Sequence, residues 1–332
     1  MTLEEAIAKI KPLDHNAMEI AQKRWDSIAK PLHSLGKLET LLIQIAGITG
    51  NAEVNLSRRG LIVMCADNGV VEEGVTQTGQ EVTAIVAENF LKYDTSVGVM
   101  CKQNHAEIFP VDMGMVTDTK VRTDHKIAYG TQNMTKGPAM TREQAVKGLE
   151  AGIDMVRELN DKGYRILATG EMGIGNTTTS SAVASVLLKQ PVEEMTGRGA
   201  GLTSEGLVRK INAIKKAIAL NEPDPEDAID VLAKVGGLDI AGMAGVFLGG
   251  AVYGIPVVMD GFISDRKHHC AGNTVWCVIN STKCMSHGMS DSKTYVRESH
   301  TSDILSKSHS FTTFFCVFNS TAERFGDQLD CF

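Results

Sequence analysis

Four apolar runs, each closing on an acid and a glycine, constrain the fold of this chain more than any other feature. They are "RGLIVMCADNG", "HAEIFPVDMG", "YRILATGEMG" and "IPVVMDGF", and they carry Asp67, Asp112, Glu171 and Asp260 at their ends. Leu61 to Cys65 is apolar without a break, as in a strand covered on both faces. Segments of helical period separate the runs. Residues 3 to 50 predict helices around a Lys30–Gly36 loop, and residues 80 to 92 predict another. "TREQAVKGLEAGIDMVRELNDKG" predicts a helix capped by Thr141 and stopped at Gly163. "EGLVRKINAIKKAIAL" and the small-residue segment "DIAGMAGVFLGGAV" predict two more. Strand and helix in alternation imply an α/β fold with a parallel sheet and right-handed crossovers. Ligands of such sheets sit beyond the carboxyl ends of the strands. The acids therefore gather where a site belongs, although Asp before Gly is also ordinary turn chemistry.

Bulk properties exclude several classes. The net charge of −7 opposes a general nucleic-acid binder, whose affinity rests on basic surface. The start, "MTLEEAIAKIKPLD", is not a secretory signal, and no run of about 18 apolar residues predicts a membrane span. Cys65 and Cys101 alone precede residue 265, so the body reads as cytoplasmic and free of disulfides.

The densest chemistry lies in "ATGEMGIGNTTTSSAV", residues 168 to 183. A strand, a Gly-rich turn and a helix start present free N–H groups and a helix dipole to an anion. Gly173 and Gly175 permit close backbone approach. Asn176, Thr177 and Thr178, with Thr179, are expected to cap the helix and donate hydroxyls. The P-loop lysine is absent, and a dinucleotide Gly-x-Gly-x-x-Gly pattern fails at Thr178. A monophosphate fits this turn better than a triphosphate. Glu171 at its mouth suits a ribose hydroxyl. "MTGRGAGL" adds Arg198 on a flexible loop, and the next helix carries Arg209 and Lys210. "AKVGGLDIAG" places Lys234 and a Gly pair before a helix, a further candidate anion site.

The sequence from about residue 25 to 264 resembles the nicotinate-nucleotide–dimethylbenzimidazole phosphoribosyltransferase family. "AKPLHSLGKLE", "ADNGVVEEGVTQTGQEVTAIV", "VDMGM", "GEMGIGNTTTSSAV", "TGRGAGL", "LAKVGGLDIAGMAG" and "IPVVMDGFIS" carry the resemblance, in order. It implies a Rossmann-like sheet flanked by helices, with a small helical domain built from both chain ends. Residues 1–55 would form the N-terminal part of that domain and residues 56–264 the large catalytic one. The implied reaction moves phosphoribose from nicotinate mononucleotide to 5,6-dimethylbenzimidazole, giving α-ribazole 5′-phosphate and nicotinate for the lower ligand of cobalamin. A homodimer is implied, and neither metal nor cofactor is required. By the same resemblance the Gly175–Thr177 turn holds the 5′-phosphate with Lys210 near it. Glu171 meets the ribose or the departing nicotinate, Gln80 borders the benzimidazole pocket, and Asp260 closes the set.

The resemblance stops after Ser264. Residues 265–332 hold Cys270, Cys277, Cys284, Cys316 and Cys331, and only three glycines. The family's late Gly-Glu-Gly, whose Glu is the catalytic base, is not found; "ERFGD" with Arg324, Gly326 and Asp327 is a coincidental echo. A frameshift, a mis-joined gene and a fused segment all account for such a tail. Two expectations follow: an active phosphoribosyltransferase, or a protein that binds nicotinate mononucleotide with impaired catalysis. A third reading, a metal module of tail Cys and His, lacks standard zinc spacing.

Overall fold

The structure is a computed structural model and describes residues 1–259. Asp260, the tail 265–332 and the Arg324–Asp327 echo lie outside the described residues.

Strands β1 (Arg59–Ala66), β2 (Ala106–Gly114), β3 (Ile166–Met172) and β4 (Val257–Val258) form one parallel sheet in the order β2-β1-β3-β4. β1 is central, and its apolar run is explained by the two faces it serves. Leu61, Val63 and Cys65 point to a layer made by α4 (Glu81–Lys92) and α5 (Ser96–Gln103), among Ala87, Phe90 and Cys101. Ile62, Met64 and Ala66 point to the main core on the other face. The fourth run pairs over only two residues, Val257 and Val258 with Leu167 and Ala168.

The main core is dominated by α6 (Arg142–Asp161) and α11 (Leu238–Tyr253). α6 begins at a capping box: Gln144 N–H donates to Thr141 Oγ1 and Thr141 N–H to Gln144 Oε1. It ends at Gly163, with φ +85°. The two helices approach so closely that side chains are excluded between them. A Cβ on Gly152 would overlap the Gly242 carbonyl, and one on Gly245 would overlap the Leu149 carbonyl. The small residues of α11 are thus the condition for its contact with α6. Around this pair lie α7 (Asn176–Leu187), α9 (Ser204–Asn221) and α10 (Ala228–Val235), with α8 (Val192–Met195) before α9. Leu3, Ala6 and Ile7 of α1 (Leu3–Lys9) also enter the main core, while α2 (His15–Ser27) and α3 (Lys37–Thr49) pack on each other.

Three helices, α5, α8 and α10, are not legible in the sequence. Each spans eight residues or fewer, too little for a helical period to stand out. No helix among the described residues is long and apolar enough to cross a membrane.

Because the obstacle at Gly152 is backbone, Gly152→Ala should lower unfolding free energy by about 2–3 kcal/mol, despite alanine's better helix propensity. Gly137→Ala, in open space, should change it little. Denaturant titration checks both; an undiminished midpoint for Gly152→Ala would refute the close approach.

Candidate functional site

The chain leaves β1 toward β2 on one side, then crosses back to β3 on the other. The loops after β1 and β3 therefore diverge, and a crevice opens at the carboxyl ends of these two strands. After β1, Asp67 and Asn68 lead into a 3₁₀ turn, Gly69–Glu73. After β3, the Gly173–Gly175 turn leads into α7.

Gly175 is the N-cap of α7 with φ +94°, a conformation that L side chains resist. The expected side-chain caps are not made. Asn176 is the first helical residue, and the hydroxyls that follow turn back to carbonyls. Thr179 donates to Asn176 O at 3.0 Å and Ser181 to Thr177 O at 2.8 Å, while buried Thr178 Oγ1 has no partner. The helix start is consequently uncapped. The N–H groups of Gly175 and Thr177 meet no acceptor among the described residues.

Lys210, from α9, lies against this end. It is 1% exposed, and its Nζ donates to Thr177 Oγ1 at 2.8 Å and to Gly197 O at 3.2 Å. No carboxylate among the described residues pairs with it, and burial pushes its pKa down to about 8. An unpaired cation in the interior is costly unless an anion joins it. The glycine loop lies over the same point: a Cβ on Gly199 would stand 2.9 Å from Thr177 Oγ1 and 3.5 Å from Lys210 Nζ. Arg198 is brought to this loop but is occupied there, donating to Leu202 O and Ser204 Oγ. Arg209 is also tied, to Gly74 O at 3.2 Å.

The strand-end acids divide by role. Asp67 Oδ2 accepts Val116 N–H at 2.8 Å, and Asp112 Oδ1 accepts Met115 N–H at 2.7 Å with Lys126 Nζ 3.1 Å from its other oxygen. Both are buried and pin loops; burial holds Asp67 above the usual carboxylate range. Glu171 is half-buried, beside Met64 of β1 in the sheet register. Gln80, the N-cap of α4, donates from Nε2 to Asn68 O at 3.2 Å and so bounds the same crevice from the β1 side. Lys234 does not form an anion site. It pairs with Asp230 at 2.9 Å, and the start of α11 already holds an acid, Asp239, whose Oδ1 accepts Ile240 N–H at 3.0 Å. Asn68 and Asp239 both enter the site region unforeseen. Their signals, "ADNG" and "GGLD", are short and read equally as turns.

A family model described as phosphoribosyltransferase matches residues 10–280. Nicotinate-nucleotide–dimethylbenzimidazole phosphoribosyltransferases from Ruminiclostridium cellulolyticum and Clostridium acetobutylicum are each 53% identical to this chain. The match runs over 266 residues, 80% of the chain and 76% of each relative. The chain belongs to this family. The crystal structure of CobT from Thermus thermophilus superimposes with a TM-score of 0.72 at 34% identity, covering 82% of this chain and 80% of that one. Family members are phosphoribosyltransferases, glycosyltransferases that move a pentosyl phosphate, and the α/β fold read from the strand pattern is theirs.

The burial of Lys210 sets a stability trend. The unfolded chain holds this proton up to about pH 10.5 and the fold releases it near 8, so stability should rise with pH across that window. Lys210→Met should abolish this rise and raise the ligand-free unfolding free energy at pH 7 by roughly 1–2 kcal/mol. Denaturation series at several pH values test it; a less stable variant at pH 7 would mean that the two hydrogen bonds outweigh the buried charge.

Proposed function

We propose that this protein transfers phosphoribose from nicotinate mononucleotide to 5,6-dimethylbenzimidazole, yielding α-ribazole 5′-phosphate and nicotinate in lower-ligand assembly of cobalamin. The carrying observation is the buried Lys210 ammonium, without a carboxylate partner among the described residues, against Thr177 at a helix start with no side-chain cap. That arrangement suits a dianionic 5′-monophosphate: a fixed cation, a hydroxyl, N–H groups that meet no acceptor among the described residues and a helix dipole converge on one spot. The phosphate rests on Gly173, Gly175, Asn176, Thr177 and Thr178, under the loop of Arg198. Glu171, at the end of β3, faces the ribose or the leaving ring, Gln80 borders the acceptor pocket, and Asp260, outside the described residues, is assigned to substrate binding by its place in the sequence.

The chemistry is a substitution at the anomeric carbon with inversion. The acceptor's ring nitrogen forms the new bond as the bond to the pyridinium nitrogen breaks. That nitrogen recovers its electron pair and leaves as a neutral pyridine ring, so departure needs no acid. The N–H proton of the benzimidazole must go to a base. Holding the two rings in line on opposite faces of the sugar supplies much of the rate. We place the enzyme in the cytoplasm as a homodimer, with a small domain using residues 1–55 and a large one of residues 56–264.

A second reading rests on the sequence after Ser264, which lacks the family's Gly-Glu-Gly: donor binding with impaired turnover. Incubation of the full chain with both substrates, following nicotinate release, separates the two. Turnover supports the first. Calorimetric binding of nicotinate mononucleotide without turnover supports the second, and absence of binding refutes both. Donor affinity should be constant near neutrality and fall above pH about 8, as the Lys210 proton is lost; phosphate, with its second pKa near about 6, is already a dianion there. Lys210→Met should weaken the donor about tenfold to a hundredfold and flatten that pH dependence.

A further inference from the structure

Asp239 is a buried acid that the transfer chemistry does not use. It is the second residue of α11, fully enclosed, and it lies under the turn that starts α7. A Cβ on Gly173 would stand 2.7 Å from Asp239 Oδ2 and 3.1 Å from Asn68 Nδ2. A Cβ on Gly237 would stand 2.6 Å from Asn68 Oδ1 and 3.5 Å from Thr179 Oγ1. Carboxylate, amide and turn are therefore stacked without room for a methyl group between them. Asp239 Oδ1 is satisfied by Ile240 N–H, but Oδ2 has no hydrogen bond of full geometry. The side-chain amides of Asn176 and Asn68 still act on the carboxylate as donors and favour its charge, against the burial that raises its pKa to about 7. Asn68 is itself fully buried, reaching Ile174 O at 3.5 Å. In its ionised form a carboxylate accepts only, so it holds a neighbouring amide by the NH₂ group.

We propose that Asp239 is a positioning residue for the donor site, acting through Asn68 and Asn176 to hold the Gly173–Asn176 turn in its anion-binding shape. The inference rests on the reading of that turn as the phosphate site. It predicts coupling. Asp239→Asn brings an NH₂ among donors and releases both amides, so affinity for nicotinate mononucleotide should fall about tenfold or more in the otherwise native chain. In the Asn176→Ala background the same change should cost markedly less, because part of what Asp239 orients is already gone.

Calorimetric titration of nicotinate mononucleotide into the four full-length proteins of this cycle gives the answer. Non-additive losses support the proposal. Additive losses, or an Asp239→Asn protein that binds as well as the native one, overturn it. Native protein that fails to bind nicotinate mononucleotide removes the phosphate-site reading itself. If Asp239→Asn does not fold, the cycle of Asn68→Ala with Asn176→Ala replaces it: coupling between two amides linked through one carboxylate supports the proposal, and additivity overturns it.

Discussion

The contact of α6 with α11 decides where everything else in this molecule can stand. Two helices whose glycines meet backbone to backbone have almost no freedom to slide, because each shift drives a carbonyl into a neighbouring Cα. α11 also packs on the sheet: a Cβ on Gly242 would stand 3.0 Å from Met64 Sδ of β1. Its amino end is thereby carried to the carboxyl ends of β1 and β3. Asp239 arrives under the β3–α7 turn as a consequence of packing some distance away, and so the crevice inherits its geometry from an interface containing no functional group.

Two consecutive residues of α7 then face opposite charges. Thr177 accepts from the Lys210 ammonium at 2.8 Å, while the Asn176 amide addresses the Asp239 carboxylate. Each charge is buried, and each is displaced from its ordinary pKa toward the neutral form by that burial. Pairing them with each other would relieve both. The fold instead keeps them on separate helices, α9 and α11. Such an arrangement sacrifices stability locally, as sites built to receive a charge commonly do. An arriving dianion would discharge the Lys210 side and leave Asp239 as an internal strut.

How much of this could be read from the chain depends on length and period. β1, β2 and β3 were legible because short apolar runs closed by turn residues and spaced by helical segments are what a covered parallel sheet requires. α6 was legible because its capping box and glycine stop bracket a long amphipathic pattern. The Gly173–Thr177 turn was legible as a glycine-rich passage from strand to helix from its residue types alone. Its caps were not: Thr and Asn at a helix start normally cap, and only the fold reveals hydroxyls turned back to carbonyls behind a glycine N-cap. Arg198 was legible as a cation, yet its guanidinium is occupied by its own loop, a local closure that no spacing rule encodes. Asp239 was illegible for a deeper reason. A single acid ahead of a run of small apolar residues reads as a cap on an exposed helix, and its burial follows from the tertiary placement of α11.

The division of labour along the chain follows from the same geometry. Among the described residues, the groups assembled around the candidate phosphate position lie between Asn68 and Asp239, on elements that share the α6–α11 core. The proton acceptor that the proposed chemistry demands is assigned by the resemblance to sequence beyond Ser264. On the proposed function, ground-state capture of the donor and stabilisation of the transition state would therefore draw on different stretches of chain, and a change confined to the later stretch would act on turnover while leaving the phosphate contacts their full strength. Retention of the buried lysine fits that separation. Its cost falls on the ligand-free fold, whereas its benefit is realised as soon as a monophosphate binds, before any bond to the anomeric carbon is broken.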